Sequence, residues 1–141
     1  MLLGMEKLIN DENKFNLEIK QNFKVLGDAN YLSIAIKNIL ENALKYNDFS
    51  KQSKILIKIY YNTLEVITSG EKLSKTLNFY TQNFSQEANS KGYGRGLNLV
   101  KRILDMYKFE LFYSYLDEKN HFIINFNLSF FKNIPATRNI A

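Results

Sequence analysis

The 141-residue chain contains no cysteine, one histidine, one proline and only six glycines. Without cysteine there is no disulfide framework, no thiolate zinc site and no cysteine nucleophile. A single histidine, His121, excludes a multi-histidine metal centre and most histidine-relay chemistry. No run approaches the ~18 consecutive apolar residues that a membrane-spanning helix needs. The opening MLLGMEKLINDENK turns polar too early for a secretory leader. A reducing, cytoplasmic setting is therefore the expectation for this domain. What is present is ordinary globular composition, 45% hydrophobic and 23% charged. A chain of this size buries roughly 68–70% of its unfolded surface, enough for one self-sufficient core. Nineteen basic against 14 acidic side chains leave a net charge of +5, which suits an anionic partner. The basic residues are scattered and form no stripe, so nucleic acid is not the expected one.

Residues 16–26 alternate apolar Leu17, Ile19, Phe23 and Val25 with polar neighbours, a strand pattern with one irregular step at Gln21–Asn22. Asp28 is placed to cap a helix over 29–46, whose apolar arc is Leu32, Ile36, Ile39, Leu40, Ala43 and Leu44. Residues 54–61 and 63–68 predict two strands around a turn near Asn62. Residues 70–91 are polar and lack a sustained period, with room for a short helix. So long a loop in a small domain is commonly a functional lid. Helical spacing returns over 97–108, and 110–115 and 121–128 read as a closing strand pair. No internal repeat is present. The expected fold class is α+β: a two-layer α/β sandwich, with a mixed sheet of about five strands and about three helices on one face.

Two features carry chemistry. Asn38, Asn42 and Lys45 lie at i, i+4 and i+7 on the side of the first helix away from its apolar arc. One reading is a solvated face, with Glu41 and Lys45 as an ordinary i, i+4 ion pair. The other is a ligand site. Asparagine is a poor helix former, yet it offers an oxygen for a hard cation and two donors for phosphate or water. Tyr46 adds a flat ring at the edge of the stripe. The second feature is KGYGRGLNLVKRI, with Gly92, Gly94 and Gly96 before a helical period that begins at Leu97. This is either a flexible hinge or an anion site, where open N–H groups and the helix dipole face a ligand beside Lys91 and Arg95. The spacing is neither a dinucleotide fingerprint nor a Walker loop.

Together these strings resemble the ATP-binding catalytic domain of sensor histidine kinases, in the superfamily shared with gyrase B, heat-shock protein 90 and MutL. NYLSIAIKNILENALKYN is similar to that family's N box, and GYGRGLNLVKRIL to its second glycine box. The resemblance implies a Bergerat-type fold over residues 16–128, with a lid about 71–96. Residues 1–15 would be a junction with a preceding helical domain, and 129–141 a tail. It further implies ATP and Mg²⁺ as cofactors, with Asn42 the metal ligand and Asn38, Asn42 and Lys45 the catalytic set. Tyr46 would pack beside the adenine. Gly70, Lys91, Gly92, Gly94, Arg95, Gly96 and Leu97 would complete the nucleotide site, and Phe79 and Tyr80 fall where an aromatic box anchors the lid.

The first glycine box departs from the family pattern D-x-G-x-G, reading Thr68-Ser69-Gly70-Glu71-Lys72. Thr68 stands where an aspartate would accept the adenine amino group, so weaker discrimination for ATP over GTP is expected. His121 is followed by Phe122 and is read as an exposed or edge-strand residue, not as a phosphoacceptor. The implied partners are a phosphoacceptor histidine domain of the same protein and a response regulator. A homodimeric parent anchored in the inner membrane is compatible with the resemblance. Two rival readings are a stand-alone serine kinase of the anti-sigma type and a degenerate nucleotide- or protein-binding module without kinase activity.

Overall fold

The computed structural model describes residues 13–82 and 94–126. Five strands form one mixed sheet: β1 (Phe15–Ile19), β2 (Ile55–Tyr60), β3 (Thr63–Ser69), β4 (Glu110–Leu116) and β5 (Lys119–Asn125), in the order β1-β2-β3-β5-β4. The helices are α1 (Ala29–Tyr46), α2 (Leu77–Gln82) and α3 (Gly94–Met106), with a 3-10 turn at Phe49–Lys51. β1 and β2 are parallel, because α1 is the crossover between them; the other neighbours are antiparallel.

The core lies between the sheet and the helices. From α1 come Leu32, Ala35, Ile36, Ile39, Leu40 and Ala43; from α3 come Leu97, Val100, Ile103 and Leu104. They meet Ile55, Ile57, Ile59, Leu64, Val66, Phe122 and Ile124, the residues that alternate onto one face of the sheet. α1 begins where expected, with the Asp28 carboxylate accepting from the N–H groups of Asn30 and Tyr31 at 2.8 and 3.2 Å. α1 and α3 run antiparallel. Gly96 at the start of α3 faces Asn38 and Asn42, while the Tyr107 hydroxyl just past its end accepts the Asp28 N–H at 2.9 Å.

Four sequence expectations need correction. The first strand stops at Ile19, because Lys20 and Gln21 both aim their N–H groups at the Ile59 carbonyl, at 2.9 and 3.4 Å, which ends the ladder at the irregular step. Val25 is still buried and Phe23 still packs, its ring 5.6 Å from that of Phe126. Leu17 and Ile19 are 41% and 47% exposed, because β1 is an edge strand that the helices do not cover. The helix expected to open at Leu97, α3, starts at Gly94, so Gly94 and Gly96 belong to its first turn and not to a loop before it. Finally, β5 begins at Lys119 and lies between β3 and β4, so His121 is not on an edge.

Both hairpins close with paired positive-φ residues, Tyr61–Asn62 (37° and 59°) and Asp117–Glu118 (53° and 60°). That geometry matches the right-handed twist of the strands it joins. α3 ends in a Schellman motif built on Lys108 at φ 61°, with the Phe109 N–H donating to Leu104 O at 3.0 Å and the Lys108 N–H to Asp105 O at 3.2 Å.

Candidate functional site

The polar stripe of α1 faces the first turn of α3. Asn38 donates its amide to the Ile34 carbonyl one turn back, at 2.8 Å, which fixes its oxygen outward. A Cβ added to Gly96 would lie 3.3 Å from Asn42 Nδ2 and 3.4 Å from Asn38 Oδ1. Glycine is therefore what lets the two helices close over the amides. Asn42 Nδ2 is buried and, among the described residues, has no hydrogen-bond partner. An unpaired buried amide costs about 1–3 kcal/mol, a cost that a ligand donating or accepting there would remove. A half-turn of the carboxamide would present its oxygen at the same place.

Glu41 pairs with Lys37 at 3.8 Å and not with Lys45, so the expected Glu41–Lys45 ion pair is not formed. Lys45 Nζ lies 5.4 Å from the ring centroid of Tyr46. Leu97 contributes its side chain to the core, fully buried. The amides left open by the first turn of α3 are those around Gly94 and Gly96. Arg95 is placed in that turn by its backbone, whereas Lys91 and Gly92 lie outside the described residues.

About 6 Å further along α1 from Asn42, at a rise of ~1.5 Å per residue, Tyr46 opens a cavity. It measures about 460 Å³ and is lined by Tyr46, Asp48, Gly70, Glu71, Lys72, Leu73, Ser74 and Tyr80. The end of α1 is joined here to the end of β3. Buried Asn47 accepts the Ser69 N–H at 2.8 Å and donates to Ser53 O at 3.2 Å, while the Asp48 N–H donates to Ser69 O at 2.8 Å. Gly70 adopts φ 149°, and a Cβ there would sit 3.3 Å from the Tyr46 carbonyl, so only glycine serves. Thr68 is 5% exposed and points to the helix layer alongside Val66, but it does not line the cavity.

The opposite wall of the cavity is fastened to the sheet. Tyr115 donates to Gly70 O at 2.9 Å, and Asn120 Nδ2 to Glu71 O at 3.0 Å. The Leu73 N–H donates to the Tyr113 hydroxyl at 3.1 Å, and that hydroxyl donates on to Asn120 Oδ1. Burial pushes the Tyr113 hydroxyl above the usual phenol range, keeping it a donor. Tyr80 is buried and meets Ser74 Oγ at 3.1 Å, while Phe79 packs edge-on against it with ring centroids 5.5 Å apart. Buried Asn98 donates to Thr81 O at 2.6 Å, tying α3 to the end of α2.

The structure thus gathers Asn38, Asn42 and Gly96 at one end and Tyr46 with Gly70 at the other. Sequence reasoning did not single out Asn47, Asp48, Asn98, Tyr113, Tyr115 or Asn120. Each takes at least one partner from a different element of the fold, and the one available signal was tyrosine alternating along β4.

Residues 27–129 match the family of histidine kinase-, DNA gyrase B- and HSP90-like ATPases. The sensor histidine kinase ArsS of Helicobacter pylori is 25% identical over 122 residues, covering 84% of this chain and 28% of that protein. The sensor histidine kinase HprS of Escherichia coli is 26% identical over 131 residues, covering 87% and 28%. The chain therefore spans little more than a quarter of the length of these curated relatives. The solved catalytic domain of the histidine kinase ThkA superposes with a TM-score of 0.65 at 19% identity, covering 87% of this chain and 85% of that one. A match across most of its length, on a fold shared with a kinase catalytic domain, places the chain in the histidine kinase-, DNA gyrase B- and HSP90-like family of ATP-binding domains.

Proposed function

We propose that this chain is the ATP-binding catalytic domain of a two-component sensor histidine kinase. The γ-phosphoryl passes from ATP to a histidine on a separate dimerisation domain outside this chain. The bond between the β–γ bridging oxygen and the γ-phosphorus breaks, ADP leaves, and a P–N bond forms on the acceptor imidazole. An aspartate of a response regulator would take the phosphoryl group next.

Chemistry of this kind asks for positioning and charge neutralisation more than covalent work, so a site without cysteine or a usable histidine is sufficient. The residues present fit a magnesium ion held largely by the nucleotide. No cluster of three or more His, Cys, Asp or Glu side chains occurs among the described residues, but the unpartnered Asn42 amide and the outward Asn38 oxygen meet at one point. When bound, Mg²⁺ would neutralise phosphate charge; Asn42, with its carboxamide turned to present the oxygen, would hold it, and Asn38 would stand beside it. Lys45 supplies a positive charge to the phosphates, the Gly94–Gly96 turn lets the backbone approach them, and Tyr46 packs beside the base.

The buried, unpartnered Asn42 amide beneath Gly96 carries this reading. Titration calorimetry with Mg²⁺-ATP tests it. The parent chain is expected to bind, and Asn42→Ala to weaken binding by about tenfold or more. A parent chain that binds no Mg²⁺-ATP overturns the proposal.

A further inference from the structure

The cavity beyond Tyr46 holds a feature that the motif resemblance does not assign. Asp48 lines it, two residues past the end of α1, with its backbone N–H on Ser69 O at 2.8 Å. It therefore stands directly across from the residue next to Thr68. Its carboxylate is held in place: Oδ1 accepts from the Ser50 N–H at 3.0 Å and from the Ser50 hydroxyl at 2.5 Å. Among the described residues Oδ2 has no partner. Those Ser50 bonds, with Lys51 nearby, hold the carboxyl below the usual carboxylate range, so it stays ionised at any physiological pH. Thr68, by contrast, is buried and absent from the cavity wall.

The cavity thus presents a tyrosine ring beside one side-chain anion whose position is fixed. Glu71, the other acid on the wall, is solvent-exposed and held to the sheet through its backbone carbonyl. With phosphates at Asn42, a nucleotide laid along the C-terminal half of α1 carries its base past Tyr46 into this cavity. The exocyclic amino group of a purine is the donor that such an acceptor reads.

We infer that Asp48 is the residue that selects the base, its Oδ2 accepting the exocyclic amino group of adenine in the role that Thr68 does not fill. The inference rests on the nucleotide-binding reading above. It revises the expectation of weak base discrimination, because a charged acceptor is present at a different position in the chain. Hydrogen bonds to an ionised acceptor are about twice as strong as neutral ones.

The test compares the affinity of the full chain for ATP with that for purine riboside triphosphate, which lacks only the amino group. The parent is expected to prefer ATP by about 10- to 100-fold. Asp48→Ser should abolish that preference and Asp48→Asn should reduce it, both still capping the 3-10 turn so that the fold survives. Thr68→Val and Glu71→Gln should leave the preference intact. A preference that persists in both Asp48 variants, or that moves with Thr68 or Glu71 instead, overturns the assignment. A parent that binds both nucleotides equally also overturns it while sparing the nucleotide site. A parent that binds neither overturns the nucleotide site as well.

Discussion

At the scale of the residue, the site depends on what Gly96 leaves out. A methyl group there would press on Asn42 Nδ2 and Asn38 Oδ1 at 3.3 and 3.4 Å, so both amides would have to retreat. Alanine is also the better helix former, by up to about 1 kcal/mol. Gly96→Ala is therefore expected to hold or raise the melting temperature while weakening Mg²⁺-ATP binding several-fold, measured by thermal unfolding and calorimetry on one sample. Opposite movement of the two readouts is the signature of a ligand site; a parallel loss would indicate a packing role alone. The two asparagines were legible because they are an anomaly within a single helix, where spacing alone puts them together. Asp48 was not legible. Its place beside the cavity depends on its N–H bond to the Ser69 carbonyl, 21 positions on in the chain, a loop-to-strand contact that no local spacing announces.

Among the elements, α1 was legible from end to end, since a 3.6-residue period over 18 residues and the Asp28 cap agree with each other. α2 was foreseen only as room for a short helix, because six residues hold too few apolar positions to establish a period. The start of α3 was misplaced because glycine argues against helix, whereas packing of its first turn over Asn38 and Asn42 overrides propensity. β1 was overextended because alternation continues through Phe23 and Val25, although these pack on the core without strand pairing. The end of α3 offers a test of local strain. Lys108 adopts the left-handed conformation at φ 61° that glycine takes without penalty. Lys108→Gly is expected to stabilise the domain by about 1 kcal/mol in urea unfolding, with no change in m-value. Destabilisation would mean that the lysine side chain matters more than its backbone.

For the molecule as a whole, the sheet divides two environments. One face buries the core and carries the cavity beside Tyr46 at its edge; the other holds a polar chain of Tyr60, Glu65 and His121. Tyr60 donates to Glu65 Oε1 at 2.8 Å and His121 Nδ1 meets Glu65 Oε2 at 2.6 Å, joining β2, β3 and β5. Burial, reinforced by the Glu65 carboxylate, pushes the Tyr60 hydroxyl up to about 12 from its ordinary value of 10.0. A pKa raised by folding contributes stability that is whole below the unfolded value and lost as pH rises through the folded one. The stability difference between the parent and Tyr60→Phe should therefore shrink between pH 10 and 12. Urea midpoints measured across that range check this, and a constant difference would place Tyr60 outside the linkage.

The fastening of residues 70–73 to the sheet by Tyr113, Tyr115 and Asn120 has a consequence for turnover. The ordering of that wall is completed when the chain folds, so on the proposed function an arriving purine would meet a finished surface and lose little affinity to induced rearrangement. With the base seated there as proposed, spent nucleotide would give way to fresh without the sheet loosening.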